Sequence, residues 1–167
     1  MELCLVRHAA AAERTADLPD EMRYLISEGR ALFRKTARTM LKKGLEPNLI
    51  LTSPLIRAVQ TAEILAEALE YNGQLVVTGE LSPGFGMAEL QMILRKFKPL
   101  GELVLVGHEP DLGNLAASLL SLPGGFEFKK GAALMLKINP DKLQVAAVFK
   151  WLAVGKKLKT SYESLSA

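Results

Sequence analysis

Histidine is nearly absent from this chain, which has two in 167 residues, and cysteine occurs once. A single cysteine cannot close an internal disulfide, so a reducing compartment is the plain expectation. Cys4 lies inside an apolar run, where a thiol packs as a small hydrophobe rather than reacting. Neither histidine has another histidine or a cysteine at ligand spacing, and no HxH or CxxC motif exists. No metal site and no cofactor is therefore expected. The nucleotide-binding P-loop and the G-x-S-x-G elbow of serine hydrolases are also missing. "GFGMAE", residues 84 to 89, resembles half a dinucleotide fingerprint but lacks the third glycine and does not follow a strand. No apolar run approaches the ~18 residues of a membrane span. The first apolar run begins without a basic region or a small-residue cleavage site, so a cytoplasmic protein with no membrane association is expected.

What is present is ordinary for a globular fold: 49% hydrophobic and 23% charged residues, in a length that suits one domain, residues 1–167. The formal charge is +3, yet residues 150 to 160, "KWLAVGKKLKT", hold four lysines and no acid. Without those four the 21 basic residues fall to 17, one fewer than the 18 acidic ones. The basic excess thus belongs to the C-terminal segment, which reads as solvated. A nucleic-acid partner would need a patch interleaved with aromatics or arginine, and none is evident.

Short apolar runs at residues 2–6, 48–52, 75–78 and 102–106 read as strands covered on both faces. Helical patterns lie between them. Phe33, Ala37, Met40 and Leu41 share one spacing, closed by Gly44 as a C-terminal cap. Leu55, Ala58, Val59, Ala62, Leu65, Ala66 and Leu69 form a second stripe, Leu90, Ile93, Leu94 and Phe97 a third, and Leu112, Leu115, Ala116 and Leu119 a fourth. Near the end, "AALMLKI" and "QVAAVFKWL" flank "NPDK", a hairpin around residues 139–142. Alternating strands and helices predict an α/β fold, a three-layer α/β/α sandwich on a mainly parallel sheet. The hairpin would add an antiparallel strand near an edge.

Both histidines stand directly after strands: His8 in "LCLVRHAA" and His108 in "LVLVGHEP". In open α/β sheets, ligands bind beyond the carboxyl ends of the parallel strands. The second strand runs into "TSPLIRAVQTA", with Ser53 as a helix N-cap, Pro54 as the first helical residue and Arg57 in the first turn. Helix dipoles disfavour a cation there by ~0.3–1 kcal/mol, a placement most easily tolerated when an anion shares the site. Singly, each histidine is more often a satisfied structural residue than a catalyst, and Arg57 is as readily a surface arginine. Together with Arg7 they form two guanidinium and two imidazole groups on one rim, a set suited to a phosphoryl group.

"LVRHA", "LTSPLIRAVQTAEIL" and "LVGHEPDL", in that order, resemble the histidine phosphatase superfamily, the phosphoglycerate mutase-like proteins. The short length and "LISEG", residues 25–29, make the chain look most like the SixA-type phosphohistidine phosphatases. The resemblance implies metal-free covalent catalysis, with His8 as the nucleophile and Arg7, Arg57 and His108 holding the phosphoryl group. It also implies a phosphohistidine-containing partner of phosphorelay or phosphotransfer-system type. Ala9 stands where the RHG pattern of the family has glycine, which bears on how closely the backbone approaches a phosphate. Larger members supply a carboxylate general acid from an inserted segment. Here Glu13, Glu80 and Glu109 are candidates by nearness to the motifs. No stretch is long enough for a cap domain, so the domain is expected to be uncapped and open to a protein surface. Two alternatives stand beside this reading: a small-metabolite phosphatase or mutase of the same superfamily, and a non-catalytic phosphate-recognition module.

Overall fold

A computed structural model describes residues 1–97, 101–142 and 147–165. Four strands follow the expected runs: β1 (Glu2–Arg7), β2 (Leu49–Thr52), β3 (Leu75–Val77) and β4 (Glu102–Gly107). Between and after them lie α1 (Ser27–Lys42), α2 (Ile56–Ala68), α3 (Met87–Lys96) and α4 (Asp111–Leu120). The chain closes with β5 (Ala133–Lys137), β6 (Val148–Val154) and β7 (Lys157–Lys159). All seven strands join one sheet in the order β3-β2-β4-β1-β5-β6-β7. The four strands from β3 to β1 are parallel, and β5, β6 and β7 add antiparallel pairings.

Alternation along each strand sorts side chains to two faces. Leu3, Leu5, Leu51, Leu103 and Leu105 pack with Leu90, Ile93, Leu112 and Leu115 of α3 and α4. Cys4, Val6, Ile50, Val104 and Val106 pack with Phe33, Ala37, Met40, Ala58, Ala62 and Leu65 of α1 and α2. This is the three-layer sandwich, with Cys4 fully buried and its thiol pKa pushed well up by that burial. Gly44, at φ 78°, follows the end of α1 in the left-handed conformation that favours glycine.

Three expectations shift in detail. The hairpin reaches further into the sheet than expected: β6 lies one strand from the edge, but β5 pairs directly with central β1 and is buried along residues 133–136. Hydrophobic period alone does not reveal which strand a hairpin joins. Its turn begins at Asn139, whose carbonyl accepts from the Lys142 N–H at 3.1 Å, and residues 143–146 of the return lie outside the described residues. β3 is an edge strand with Val77 exposed, and Leu41 likewise faces water, so apolar identity overstated their burial. Finally, the lysine-rich segment is not a loose tail. Trp151 and Ala153 of β6 enter the core while the lysines face outward, and β7 ends the sheet with Lys157 and Lys159. Lysines on an edge strand hinder pairing with another chain.

Candidate functional site

The site follows from strand register. β2, β4 and β1 are neighbours, with Thr52 opposite Val106 and Gly107 opposite Arg7. The ladder runs one residue further: the Ser53 N–H donates to Val106 and the His8 N–H to Gly107, each at 3.0 Å. Ser53, His108 and His8 therefore leave three adjacent strand ends side by side. The two imidazole rings lie 5.1 Å apart between centroids. Arg57 arrives from the first turn of α2 on the face that carries His8, and Arg7 leaves the rim toward the opposite face. His8, His108 and Arg57 come together, and the charge of Arg7 reaches His8.

Ser53 departs from its expected role. α2 begins at Ile56, and its N-cap, Leu55, has no side-chain bond. Ser53 Oγ instead lies 2.7 Å from His108 Nε2 and accepts from the Leu55 N–H at 3.3 Å. The hydroxyl orients the second histidine. Thr61 does the same for the motif backbone, accepting from the Ala9 N–H at 3.1 Å and donating to the Arg57 carbonyl at 2.7 Å. "LISEG" also has a packing reason. A Cβ on Gly29 would fall 2.9 Å from the Ala10 carbonyl carbon, so only glycine lets α1 meet the segment after His8.

The hydrogen bonds of His8 fix its tautomer. Nδ1 lies 2.8 Å from the Ala9 carbonyl, which can only accept, so Nδ1 carries the proton. Nε2 then carries a lone pair instead of a proton, and that lone pair accepts from Arg57 Nε at 3.2 Å. Burial holds His8 near pKa 3, reinforced by the charges of His108, Arg57 and Arg7 against the Ala9 hydrogen bond. His108 is lowered to about 4 by burial and by Arg57, with Asp20 acting the other way. Both rings are neutral at neutral pH.

Two buried nitrogens have no partner among the described residues: Arg7 Nε, a donor, and His108 Nδ1, whose role follows the tautomer. The remainder of the Arg7 guanidinium is anchored, since Nη1 donates to the Phe128 carbonyl. Buried polar groups left unpaired mark a place that something else fills. Around a neutral histidine with an unprotonated Nε2, the guanidinium groups of Arg7 and Arg57 suit an anion with several oxygens. Among the described residues no group of three or more His, Cys, Asp or Glu could hold a metal ion, and no helix is long and apolar enough to cross a membrane.

The three carboxylate candidates are dispersed. Glu13 is exposed. Glu80 accepts from the Thr78 hydroxyl and lies 3.8 Å from Lys96, and the Thr78 bond is the main cause lowering its pKa. Glu109 accepts from the Phe128 N–H at 3.2 Å, bracing the segment that anchors Arg7, while burial raises its pKa. The carboxylate that does touch the site is Asp20, which pairs with Arg57 at 2.9 Å. Nothing in the apolar pattern marks it, because it lies in a loop 37 residues from its partner in sequence.

Comparison with known proteins finds likeness over much of the chain. The family model of the histidine phosphatase superfamily (branch 1) matches residues 3–82. An uncharacterized protein of Picosynechococcus sp. is 35% identical over 164 residues, covering 91% of this chain and 99% of that one. The phosphohistidine phosphatase SixA of Escherichia coli (strain K12) is 29% identical over 123 residues, 71% of this chain and 74% of the relative. The solved structure of the protein histidine phosphatase SixA complexed with tungstate superposes with a TM-score of 0.79 at 24% identity, over 93% of this chain and 97% of that one.

Proposed function

Since the chain belongs to the histidine phosphatase superfamily, we propose that it is a metal-independent phosphohistidine phosphatase acting on a partner protein in the cytoplasm. The observation that carries the proposal is the unprotonated Nε2 of His8, set beside the Arg57 guanidinium and the His108 ring. Nε2 attacks the phosphorus of the incoming phosphohistidine, and the phosphorus–nitrogen bond of the substrate breaks. The departing ring takes the electron pair and leaves as neutral imidazole when its other nitrogen carries a proton. Water then attacks the phosphorus on His8, releasing inorganic phosphate and restoring the lone pair. Arg7, Arg57 and His108 hold the equatorial oxygens, where fixed donors supply most of the catalysis. A binding module would need the cations but no nucleophile.

Two features favour a protein substrate with a nitrogen leaving group. Between β1 and α1 the chain builds nothing larger than a 3-10 turn at Asp20–Met22, and Met22 and Tyr24 stand exposed beside it. A small enclosed metabolite would not need such a rim. Glu80 and Glu109 are committed to hydrogen bonds of their own, and an alkoxide leaving group would need a positioned acid contributing ~10²–10⁴ in rate. The named activity of the Escherichia coli relative points the same way. The experiment is a comparison of kcat/KM for a phosphohistidine protein, an aryl phosphate and a phosphoserine peptide. The expected order is as written. Phosphoserine turnover equal to that of phosphohistidine, or its selective loss on changing Glu13, Glu80 or Glu109 to Gln, would contradict it.

A further inference from the structure

Asp20 has no part in the steps above, yet it is the side chain most closely joined to the phosphoryl clamp. We propose that Asp20 is a positioning residue that aims the Arg57 guanidinium at His8, an inference that rests on the phosphatase reading. Arg57 is only 4% exposed, and its three nitrogens have separate partners. Nη1 donates to the Asp20 carbonyl at 2.6 Å and Nη2 to Asp20 Oδ2 at 2.9 Å. That leaves Nε as the donor turned to His8 Nε2, at 3.2 Å. One residue thus holds the far end of the fork, and the near edge is left for the reacting nitrogen.

Asp20 is itself held. Arg23 Nη1 donates to its Oδ1 at 2.9 Å, and Arg23 Nε donates to the Ala12 carbonyl at 2.6 Å. The chain Ala12–Arg23–Asp20–Arg57–His8 ties the rim loop to the nucleophile. An arginine side chain has many rotamers, and its fork is useful only in one of them. α2 fixes where Arg57 begins, and the rim loop fixes where it points. Asp20 is negative and stands near an incoming anion, but it is flanked by two guanidinium groups, so the trio presents net positive charge. The hydrogen bonds to Arg23 and Arg57 together hold the carboxyl below its ordinary range, against a smaller contribution from burial.

A competing account makes Asp20 a stand-in for phosphoryl oxygens that a ligand must displace. The two accounts predict opposite signs. The test uses the full chain as Asp20→Ala, Asp20→Asn and Arg23→Gln, with orthovanadate affinity, kcat and KM on an aryl phosphate, and the NMR signal of the Arg57 Nε–H. Positioning predicts that Asp20→Ala lowers kcat ~10–100-fold, the scale of a misplaced clamp, and weakens vanadate comparably. Asp20→Asn keeps an oxygen for Nη2 and loses less. The Arg57 Nε–H signal, sharp and slowly exchanging in the wild type, broadens in Asp20→Ala. Tighter vanadate binding, or unchanged kinetics with an unchanged Nε–H signal, overturns the inference. A wild-type protein that neither turns over phosphate compounds nor binds vanadate defeats the phosphatase reading instead, and the Nε–H signal still decides the role of Asp20.

Discussion

The two ends of the parallel strands make an instructive pair. At the amino ends, a cleft of about 320 Å³ is lined by Glu2, Lys43, Leu45, Glu102, Met135, Lys150 and Trp151. It is charged, but none of its lining side chains is among the buried polar groups left without a partner. The Glu102 N–H donates to Asn48 Oδ1 at 2.8 Å, and Glu102 accepts from the Glu46 N–H. At the carboxyl ends the ionisable residues are buried far more deeply than Glu2, Lys43, Glu102 and Lys150: Arg57 and His108 are each 4% exposed and His8 8%. There, and nowhere else among the described residues, buried side-chain nitrogens lack partners. Unpaired buried nitrogens choose the carboxyl end, because leaving a polar group desolvated costs ~1–3 kcal/mol that a ligand can recover.

The comparison breaks most sharply at Arg57. Arg57→Ala should lower kcat/KM ~10²–10³-fold, about 3–4 kcal/mol of transition-state stabilisation. The melting temperature should move little, because removing a buried cation also removes its desolvation penalty. Equal activity in the variant and the wild type would remove Arg57 from the clamp.

Acid should act on the carboxyl end through its histidines. His8 and His108 have folded pKa values near 3 and 4, below the unfolded value near 6.5. The unfolded chain therefore binds more protons as pH falls through that window, and stability present above pH 6.5 is lost on the way down. The loss should be about 2 kcal/mol for each histidine between pH 7 and pH 5. NMR of the ring Cε1–H signals should show neither histidine titrating in that range without ligand. A midpoint near 6.5 for either would mean that its ring is solvated, and that the site is not as described.

The smallest effects belong to the amino end. Lys150→Ala and Glu102→Gln should leave kcat/KM within about twofold, and Lys150→Ala should change stability by no more than ~0.5 kcal/mol, as exposed surface changes do. A loss comparable to that of Arg57→Ala would show that the amino-end cleft, not the strand-end rim, serves the reaction.

Much of this site is legible in the sequence, for a physical reason. A strand covered on both faces reads as a continuous apolar run, so the polar residue that ends it is conspicuous. His8 and His108 are found that way, and Arg57 by its place in a first helical turn. Ser53 is visible but misassigned, since helix-capping chemistry and a bond to a histidine 55 residues away look alike in sequence. Asp20 and Arg23 escape altogether, because their partners are set by the path of a loop, which has no period. β5 is similar: its composition predicts a strand, but only pairing with β1 places it at the centre of the sheet.

The central claim is that His8 carries the phosphoryl group, and rapid quenching with a labelled phosphodonor tests it directly. The account predicts a phosphoenzyme that is acid-labile and base-stable, with the label on His8 by peptide mapping. Both label and turnover should be lost in His8→Ala while the fold remains. Label retained in His8→Ala, or turnover without any phosphoenzyme, would contradict the account.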